Sequence, residues 1–397
     1  MLIDGKRALA YTAAIDEIKP IEGYDRVEHA HVNGGWWAIV AKADSFKVGD
    51  TCIYFEVDSL CPAADERFEF LAKRNYRIKT LKMCKVISQG LVMPLASFPE
   101  LGDIDVGVDV TEKLGIVYYV AEDNARKGGV DPNAKYLSMT ARHKNVFKKK
   151  WARWLMRREW GRRLMFAFFG KKKDNPRGFP SFVSKSDQER CQNMPWIVED
   201  KSPYIETLKI DGTSATYALV RKKRGFEFYV CSRNVRQADK DQATFHSNDE
   251  NVYWQVADKL DIYNFLKEYI EQNSLEWAAL QGEIAGCSLG GVKIQGDPHK
   301  FGELRFFGYD MYTPEEGKID TLKAKEACEN WGIEWVPITN MNYIMPDTID
   351  ELLLRADGPC VVDGASGIRE GFVYRKKENT SFSFKAVSNK YLLKHNQ

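Results

Sequence analysis

The chain has 397 residues, with 58 basic and 56 acidic side chains, a net charge of +2 and 44% hydrophobic residues. This composition is typical of a soluble globular protein with two or three domains, and no apolar run of about 18 residues is present to span a membrane. Eight cysteines and six histidines show neither Cys-x-x-Cys nor His-x-x-x-His spacing, which excludes the common zinc motifs. We expect reduced thiols and an intracellular, soluble location, either cytoplasmic or in a host-cell cytoplasm.

The first region, residues 1–118, contains short strand-like runs separated by turns. The runs at 36–41 and 52–57 are rich in aromatic and β-branched residues and flank a Gly-Asp turn, which predicts a small β-barrel. A further run at 76–82 places Arg77, Lys79 and Lys82 mostly on alternate positions. This predicts a strand with a positive, nucleic-acid-binding face, and a solvated edge strand is the alternative.

The second region, residues 119–178, is basic and rich in aromatic residues. Between Arg142 and Lys173 there are 13 Lys or Arg residues and a single acid, Glu159. The spacing of the tryptophans among them predicts an amphipathic basic helix. Binding to nucleic acid is favoured over a merely solvated face, and over membrane association. The candidate contacts are Lys148, Lys149, Lys150, Arg157 and Arg158.

The third region, residues 179–397, has a mixed α/β pattern. It predicts a helix over 258–272 and strands at 215–220, 226–230 and 304–309. Five charged segments each lie beside a strand-like run, a combination that is hard to obtain by chance. They are Lys209-Ile210-Asp211-Gly212, Ser232-Arg233, Gly282-Glu283, Glu370-Gly371 and the segment around Lys385.

Together these segments resemble the motifs of the covalent nucleotidyltransferases, which include RNA ligases, DNA ligases and mRNA capping enzymes. The resemblance implies that Lys209 attacks ATP to form lysyl-AMP, that AMP then moves to a 5′-phosphate, and that a 3′-hydroxyl finally displaces it. Either Phe307 or Tyr309 would stack on adenine while the other packs beneath it. Lys390 would replace the second lysine of the fifth motif, where this chain has Val387. The implied nucleotide-binding residues are Glu206, Ile210, Arg233, Glu283, Phe307, Tyr309, Glu370, Lys385 and Lys390.

The chemistry of lysine explains why such residues belong together. Its pKa of about 10.4 makes the neutral, nucleophilic form roughly 4–5 kcal/mol less stable than the ammonium at pH 7. A divalent metal held by Asp211, Glu283 and Glu370 would favour the neutral form, and Arg233 and Lys385 would neutralise phosphate charge. The alternative is an inert surface network of paired charges.

The order of the regions identifies the branch of the superfamily. Only 12 residues follow Lys385, too few for the OB domain that DNA ligases and capping enzymes usually carry there, so a capping-type GTP transferase is disfavoured. Segments at 55–60, 88–91, 179–182 and 388–393 resemble RNA ligases of the Naegleria type. The implied fold class is α+β: an N-terminal OB-fold β-barrel (1–118), a basic insert (119–178) and a mixed α/β nucleotidyltransferase domain with antiparallel sheets (179–397), an ATP-grasp-like ligase fold.

This resemblance implies a function in RNA repair. The protein would be a monomeric, ATP-dependent RNA ligase that uses Mn or Mg, with RNA 5′-phosphate and 3′-hydroxyl ends as its substrates and no membrane partner. Two alternatives remain open. One is a DNA or nick ligase with the same chemistry, and the other is a nucleic-acid-binding protein with a decayed transferase domain.

Overall fold

The computed structural model describes residues 1–3, 6–32, 34–83, 86–119, 155, 178–237 and 251–395. The backbone divides into two compact units, Met1–Tyr118 with Gly178–Gln397, and Tyr119–Arg177. The predicted domain boundaries stay a prediction. No helix among the described residues is long and apolar enough to cross a membrane. The predicted basic helix lies outside the described residues, as do its candidate contacts Lys148, Lys149, Lys150, Arg157 and Arg158.

The N-terminal part is built almost entirely from short antiparallel strands. They are β1 (Leu2–Ile3), β2 (Lys6–Arg7), β3 (Ala10–Ile21), β4 (Tyr24–Val32), β5 (Trp36–Ala41), β6 (Thr51–Phe55), β7 (Ser59–Leu60), β8 (Leu81–Met83), β9 (Val86–Ser88), β10 (Leu91–Pro94) and β11 (Val117–Tyr118). One five-stranded sheet has the order β10-β6-β3-β4-β5. β9 joins its β5 edge, because Ile39 N donates to Ser88 Oγ at 2.9 Å. The sheet thus curls into the small barrel that the sequence predicts.

The strand predicted over 76–82 is wrong for most of its length. Asn75 and Tyr76 have φ angles of 51° and 58°, which belong to the left-handed region and not to a strand. Only Leu81–Met83 pairs as β8. Arg77 donates to Asp58 Oδ1 at 2.6 Å, so its guanidinium is engaged within the protein. An alternating row of basic side chains therefore does not form here.

The C-terminal part contains two five-stranded sheets. Its strands are β12 (Glu189–Arg190), β13 (Tyr204–Lys209), β14 (Thr213–Arg221), β15 (Phe226–Ser232), β16 (Trp277–Gly286), β17 (Leu304–Thr313), β18 (Gly317–Lys318), β19 (Ile338–Tyr343), β20 (Gly371–Lys376) and β21 (Asn379–Val387). The first sheet has the order β12-β21-β20-β13-β19, and the second has β15-β14-β16-β17-β18. Every pairing in them is antiparallel except that of β12 with β21. The three predicted strands lie within β14, β15 and β17, which confirms them.

Five α-helices in the described residues cover the outer faces of these sheets. They are α1 (Val252–Lys259), α2 (Ile262–Gln272), α3 (Thr321–Asn330), α4 (Ile349–Ala356) and α5 (Asn389–His395). The helix predicted over 258–272 is confirmed for Ile262–Gln272, but its start is wrong, because the chain breaks between α1 and α2. Asp261 has a left-handed φ of 48°, and the Leu260 carbonyl accepts a hydrogen bond from Trp331 Nε1. A tertiary contact thus stabilises the break.

The barrel and the C-terminal part share an apolar contact. Ile87 of β9 packs with Val387 of β21 and with Leu392 of α5, and all three side chains are buried. The β4–β5 turn also lies against the C-terminal part, since a Cβ added to Gly35 would be 2.5 Å from Ile349. The two parts are therefore packed as one body around the end of β21.

Candidate active site

A polar cavity of about 360 Å³ opens between the two C-terminal sheets. The first sheet contributes the neighbouring strands β13, β20 and β21 to its lining, and the second sheet contributes β14, β16 and β17. The cavity therefore collects side chains that lie far apart in the sequence. Those predicted as site residues are Lys209, Ile210, Asp211, Arg233, Glu283, Tyr309, Glu370 and Lys385.

Lys209 is the last residue of β13 and pairs with Gly371 of β20. Its Nζ donates to Glu370 Oε2 at 2.7 Å. Burial opposes the charged ammonium, but attraction to Glu370, Glu283 and Asp211 outweighs burial, so the pKa of Lys209 is raised. The lysine is therefore held as an ammonium ion, and it needs an additional positive charge nearby to become a nucleophile at neutral pH.

Burial disfavours the charged form of the carboxylates around Lys209. Burial, reinforced by Glu370 and Asp211, raises the pKa of Glu283 to about 8, although Lys209 opposes this. Burial also raises the pKa of Glu370. The described residues contain no group of three His, Cys, Asp or Glu side chains that is close enough together to hold a metal ion as it stands. The charge of the carboxylates nevertheless fits a divalent cation, which would offset this buried negative charge.

Asp211 is held from two sides by residues that the sequence interpretation did not include. Its backbone N–H donates to His299 Nε2 at 2.9 Å. Its Oδ2 accepts a hydrogen bond from the Tyr391 hydroxyl at 2.6 Å. Burial lowers the pKa of His299 to about 4, so the imidazole is neutral and its Nε2 can accept.

Lys385, Arg233 and Arg190 are cationic side chains that also line the cavity. Burial, together with repulsion from Lys209 and Arg190, lowers the pKa of Lys385 to about 7. Arg233 lies half-exposed at the mouth, where it pairs with Asp187. Arg190 of β12 lies beside Lys385 in the parallel pairing of β12 with β21. This cluster is suited to bind a phosphate chain, whose charge would restore the proton on Lys385.

Arg190 is a site residue that the sequence interpretation missed. Its Nη1 is buried and has no hydrogen-bond partner among the described residues, and the residue lines the cavity. A buried guanidinium nitrogen without a protein acceptor is suited to bind an anion in the cavity. The only signal in the sequence was the Glu-Arg pair in the segment that begins the third region.

Tyr309 is the aromatic residue of β17 that lines the cavity. Its hydroxyl forms a hydrogen bond with Ser214 Oγ at 2.8 Å. Phe307 lies opposite Glu283 in the ladder, but it is only 1% exposed and packs against Phe301. Of the two predicted stacking residues, Tyr309 is therefore the one within reach of a ligand.

Two predicted nucleotide-binding residues lie away from the cavity. Glu206 is three residues before Lys209 on β13, so its side chain points to the other face of the strand. There its carboxylate accepts hydrogen bonds from Thr339, Arg355 and Tyr374. Lys390 is exposed, and its Nζ is 3.3 Å from Asp357 Oδ2. It does not replace the missing lysine at position 387.

The predicted basic residues of the barrel differ in their availability. Arg77 is bonded to Asp58. Lys79 and Lys82 are exposed, and they line a cleft together with Leu392 and Leu393 of α5.

The nucleophilic lysine beside buried carboxylates, facing a cluster of cations between two antiparallel sheets, defines a covalent nucleotidyltransferase. An OB-fold domain family model matches residues 9–95, and an RNA ligase family model matches residues 202–391. No curated protein matches the chain. The C-terminal part of the chain therefore has the domain of an RNA ligase.

Similarity to solved structures extends over nearly the whole chain. A structure of Naegleria gruberi RNA ligase with PPi has 28% identity and a TM-score of 0.67, and covers 98% of this chain and 99% of its own. A mutant of that ligase with ATP and Mn gives the same values. Another mutant, with AMP and Mn, has 29% identity at a TM-score of 0.67, with the same coverage. The predicted fold class and family are thus confirmed.

Proposed function

We propose that this RNA ligase seals RNA ends through three nucleotidyl transfers centred on Lys209. In the first, the neutral Nζ of Lys209 attacks the α-phosphorus of ATP, a P–N bond forms and pyrophosphate leaves. In the second, an RNA 5′-phosphate oxygen attacks the lysyl-AMP, which frees Lys209. In the third, an RNA 3′-hydroxyl attacks the activated 5′-phosphate and AMP leaves. The observation that carries the proposal is the contact of Lys209 with Glu370 inside a cavity that is also lined by Arg190, Arg233 and Lys385.

Each cavity residue has a part in this scheme. Tyr309 would stack on the adenine ring, and its bond to Ser214 fixes the plane of the ring. Arg190, Arg233 and Lys385 would bind the phosphates and stabilise the charge that develops on the leaving pyrophosphate. For Arg233 this requires that the guanidinium exchange Asp187 for a phosphate oxygen.

Asp211, Glu283 and Glu370 would hold a divalent metal, Mn or Mg. When bound, the metal would lower the pKa of Lys209 and draw charge from the α-phosphate. Structures of the Naegleria gruberi ligase that contain Mn together with ATP or AMP support this assignment. Without the metal, the same carboxylates stabilise the ammonium form of Lys209 and keep the nucleophile inactive.

Substrate RNA would extend from the cavity along the barrel, where Lys79 and Lys82 would contact phosphates. We expect the protein to act as a monomer, because one chain supplies every residue of the scheme. We also expect it to act in the cytoplasm, since Cys52, Cys191 and the other described cysteines are free thiols.

Incubation with ATP labelled at the α-phosphate and Mn²⁺ tests the first step, since a labelled protein band should form. Lys209→Ala should give no band, and Lys201→Ala serves as a control because Lys201 pairs with Asp347 away from the cavity. A 5′-phosphorylated RNA should then remove the label from the wild-type protein. No label with ATP would overturn the proposal, and removal by DNA but not by RNA would identify a DNA ligase.

A further inference from the structure

The backbone that follows the nucleophile is held by tertiary contacts and not by the sheet. β13 ends at Lys209, so the N–H of Asp211 has left the strand ladder. The next residue, Gly212, lies so close to β16 that an added Cβ would be 2.1 Å from the Ile284 carbonyl oxygen. The Asp211 N–H instead donates to His299 Nε2, at 2.9 Å. The direction of this turn therefore depends on the position of His299.

The segment that carries His299 is strained, and it is fixed at several points. Gln295, Asp297 and Lys300 have φ angles of 49°, 52° and 56°. Non-glycine residues in this region cost of order 1–3 kcal/mol each and persist where the surroundings enforce them. The His299 carbonyl accepts a hydrogen bond from Ser366 N at 2.9 Å, which ties the segment to a second loop. Such strain next to a reactive lysine indicates that the placement of His299 serves the site.

Tyr391 supports the same aspartate from the C-terminal helix α5. Its hydroxyl donates to Asp211 Oδ2 at 2.6 Å. Its ring is stacked on His299 with a centroid distance of 6.3 Å and an interplanar angle of 26°. His299 and Tyr391 are both fully buried, and neither is among the residues that line the cavity. Their hydrogen bonds to the site are made to Asp211.

We propose that His299 and Tyr391 are positioning residues, which fix the backbone and the carboxylate of Asp211 so that it can hold the divalent metal beside Lys209. The inference rests on the proposed function. His299 orients the turn after Lys209 by accepting a hydrogen bond from the backbone N–H of Asp211. Tyr391 orients the carboxylate of Asp211 by donating a hydrogen bond to its Oδ2. Groups that orient a metal ligand in this way typically change metal affinity or activity about 10- to 100-fold when they are removed.

A matched set of variants separates positioning from packing. His299→Phe keeps an aromatic ring against Tyr391 but removes the acceptor, whereas His299→Gln keeps an acceptor oxygen but removes the ring. Tyr391→Phe removes only the hydroxyl. His395→Phe is the control, because His395 also stacks on Tyr391, at 4.3 Å, but is not bonded to Asp211.

The assay is the single-turnover rate of lysine labelling by ATP, measured across a range of Mn²⁺ concentrations, with the melting temperature recorded for each variant. His299→Phe and Tyr391→Phe should need about tenfold more Mn²⁺ for half-maximal rate. His299→Gln should recover most of that loss, and His395→Phe should match the wild type. If His299→Phe does not fold, Tyr391→Phe alone decides the question.

Two results would overturn the inference. One is an unchanged Mn²⁺ requirement in Tyr391→Phe. The other is a loss in His299→Gln as large as that in His299→Phe, with a matching fall in melting temperature, because packing would then explain both. If the wild type itself forms no label that depends on Lys209, the proposed function fails instead, so the two failures are distinguishable.

Discussion

The buried negative charge around Lys209 predicts that Mn²⁺ binding releases a proton from Glu283. Burial, reinforced by Glu370 and Asp211, raises the pKa of Glu283 from its ordinary 4.5 to about 8. Below pH 8 the metal-free carboxyl group is therefore protonated, whereas a carboxylate must be ionised to bind a metal. Metal and proton thus compete for the same group, and the metal should bind more tightly as the pH rises.

The size of this effect follows from the linkage of one proton. Each released proton makes the dissociation constant fall about tenfold per pH unit. The affinity for Mn²⁺ should thus increase about 50-fold between pH 6 and pH 8, and it should level off above pH 8. The pKa of Glu370 is also raised, so the slope should be at least one proton. The EPR signal of free Mn²⁺, titrated with protein at several pH values, measures the slope directly.

Glu283→Gln provides the matched control, because glutamine has the same shape and no proton to release. Its slope should be lower by about one proton, leaving only the contribution of Glu370. Calorimetry in two buffers with different ionisation enthalpies counts the same protons independently. A dissociation constant that stays constant between pH 6 and pH 8, or an unchanged slope in the glutamine variant, would refute the reasoning.

Three further predictions concern neighbouring positions. Glu283→Gln should raise the melting temperature at pH 8. The pKa of Glu283 is higher in the folded than in the unfolded state, so the stability of the wild type falls as the pH rises from about 4.5 to 8. Equal melting temperatures of the two proteins would contradict this. Gly282→Ala should destabilise the fold by about 1–3 kcal/mol in urea titrations, because the added methyl would be 2.2 Å from Phe306 Cζ. Gly290→Ala is the control, since a methyl has room there. Equal unfolding midpoints for the two variants would exclude the clash. Tyr309→Ala should raise the KM for ATP about tenfold through lost stacking while Tyr309→Phe retains most affinity; equal losses would assign the role to the hydroxyl.

The sequence was sufficient for the chemistry of the site, because each motif lies at or near a strand end. The predicted strands around 215–220 and 304–309 place Glu283 and Tyr309 in one sheet, and the chain order of the motifs matches the family. Lys209 and Glu370 meet at 2.7 Å although 160 residues lie between them. The resemblance of the motifs therefore assigned both residues to one site, although no local signal in the sequence shows their contact.

The errors have a common physical origin in tertiary contacts. Arg190 reaches the site only because β12 pairs with β21, and nothing local in the sequence announces that pairing. Glu206 was assigned to the nucleotide, but it lies on the opposite face of β13 from Lys209. The helix break at Asp261 and the position of Lys390 also depend on neighbours that are distant in the sequence. Strand alternation would have corrected only Glu206.

The apolar contact between the barrel and the end of β21 has a consequence for which substrates are admitted. Burying one aliphatic side chain contributes about 1.5–3 kcal/mol, so separating Ile87 from Val387 and Leu392 would leave of order 1% of molecules open, or fewer. For a substrate that binds only the open form, the apparent dissociation constant would equal the intrinsic constant divided by the fraction of open molecules. A single-stranded end that threads into the closed cleft escapes this penalty. The contact would thus disfavour a substrate whose binding requires the barrel to separate from the C-terminal part.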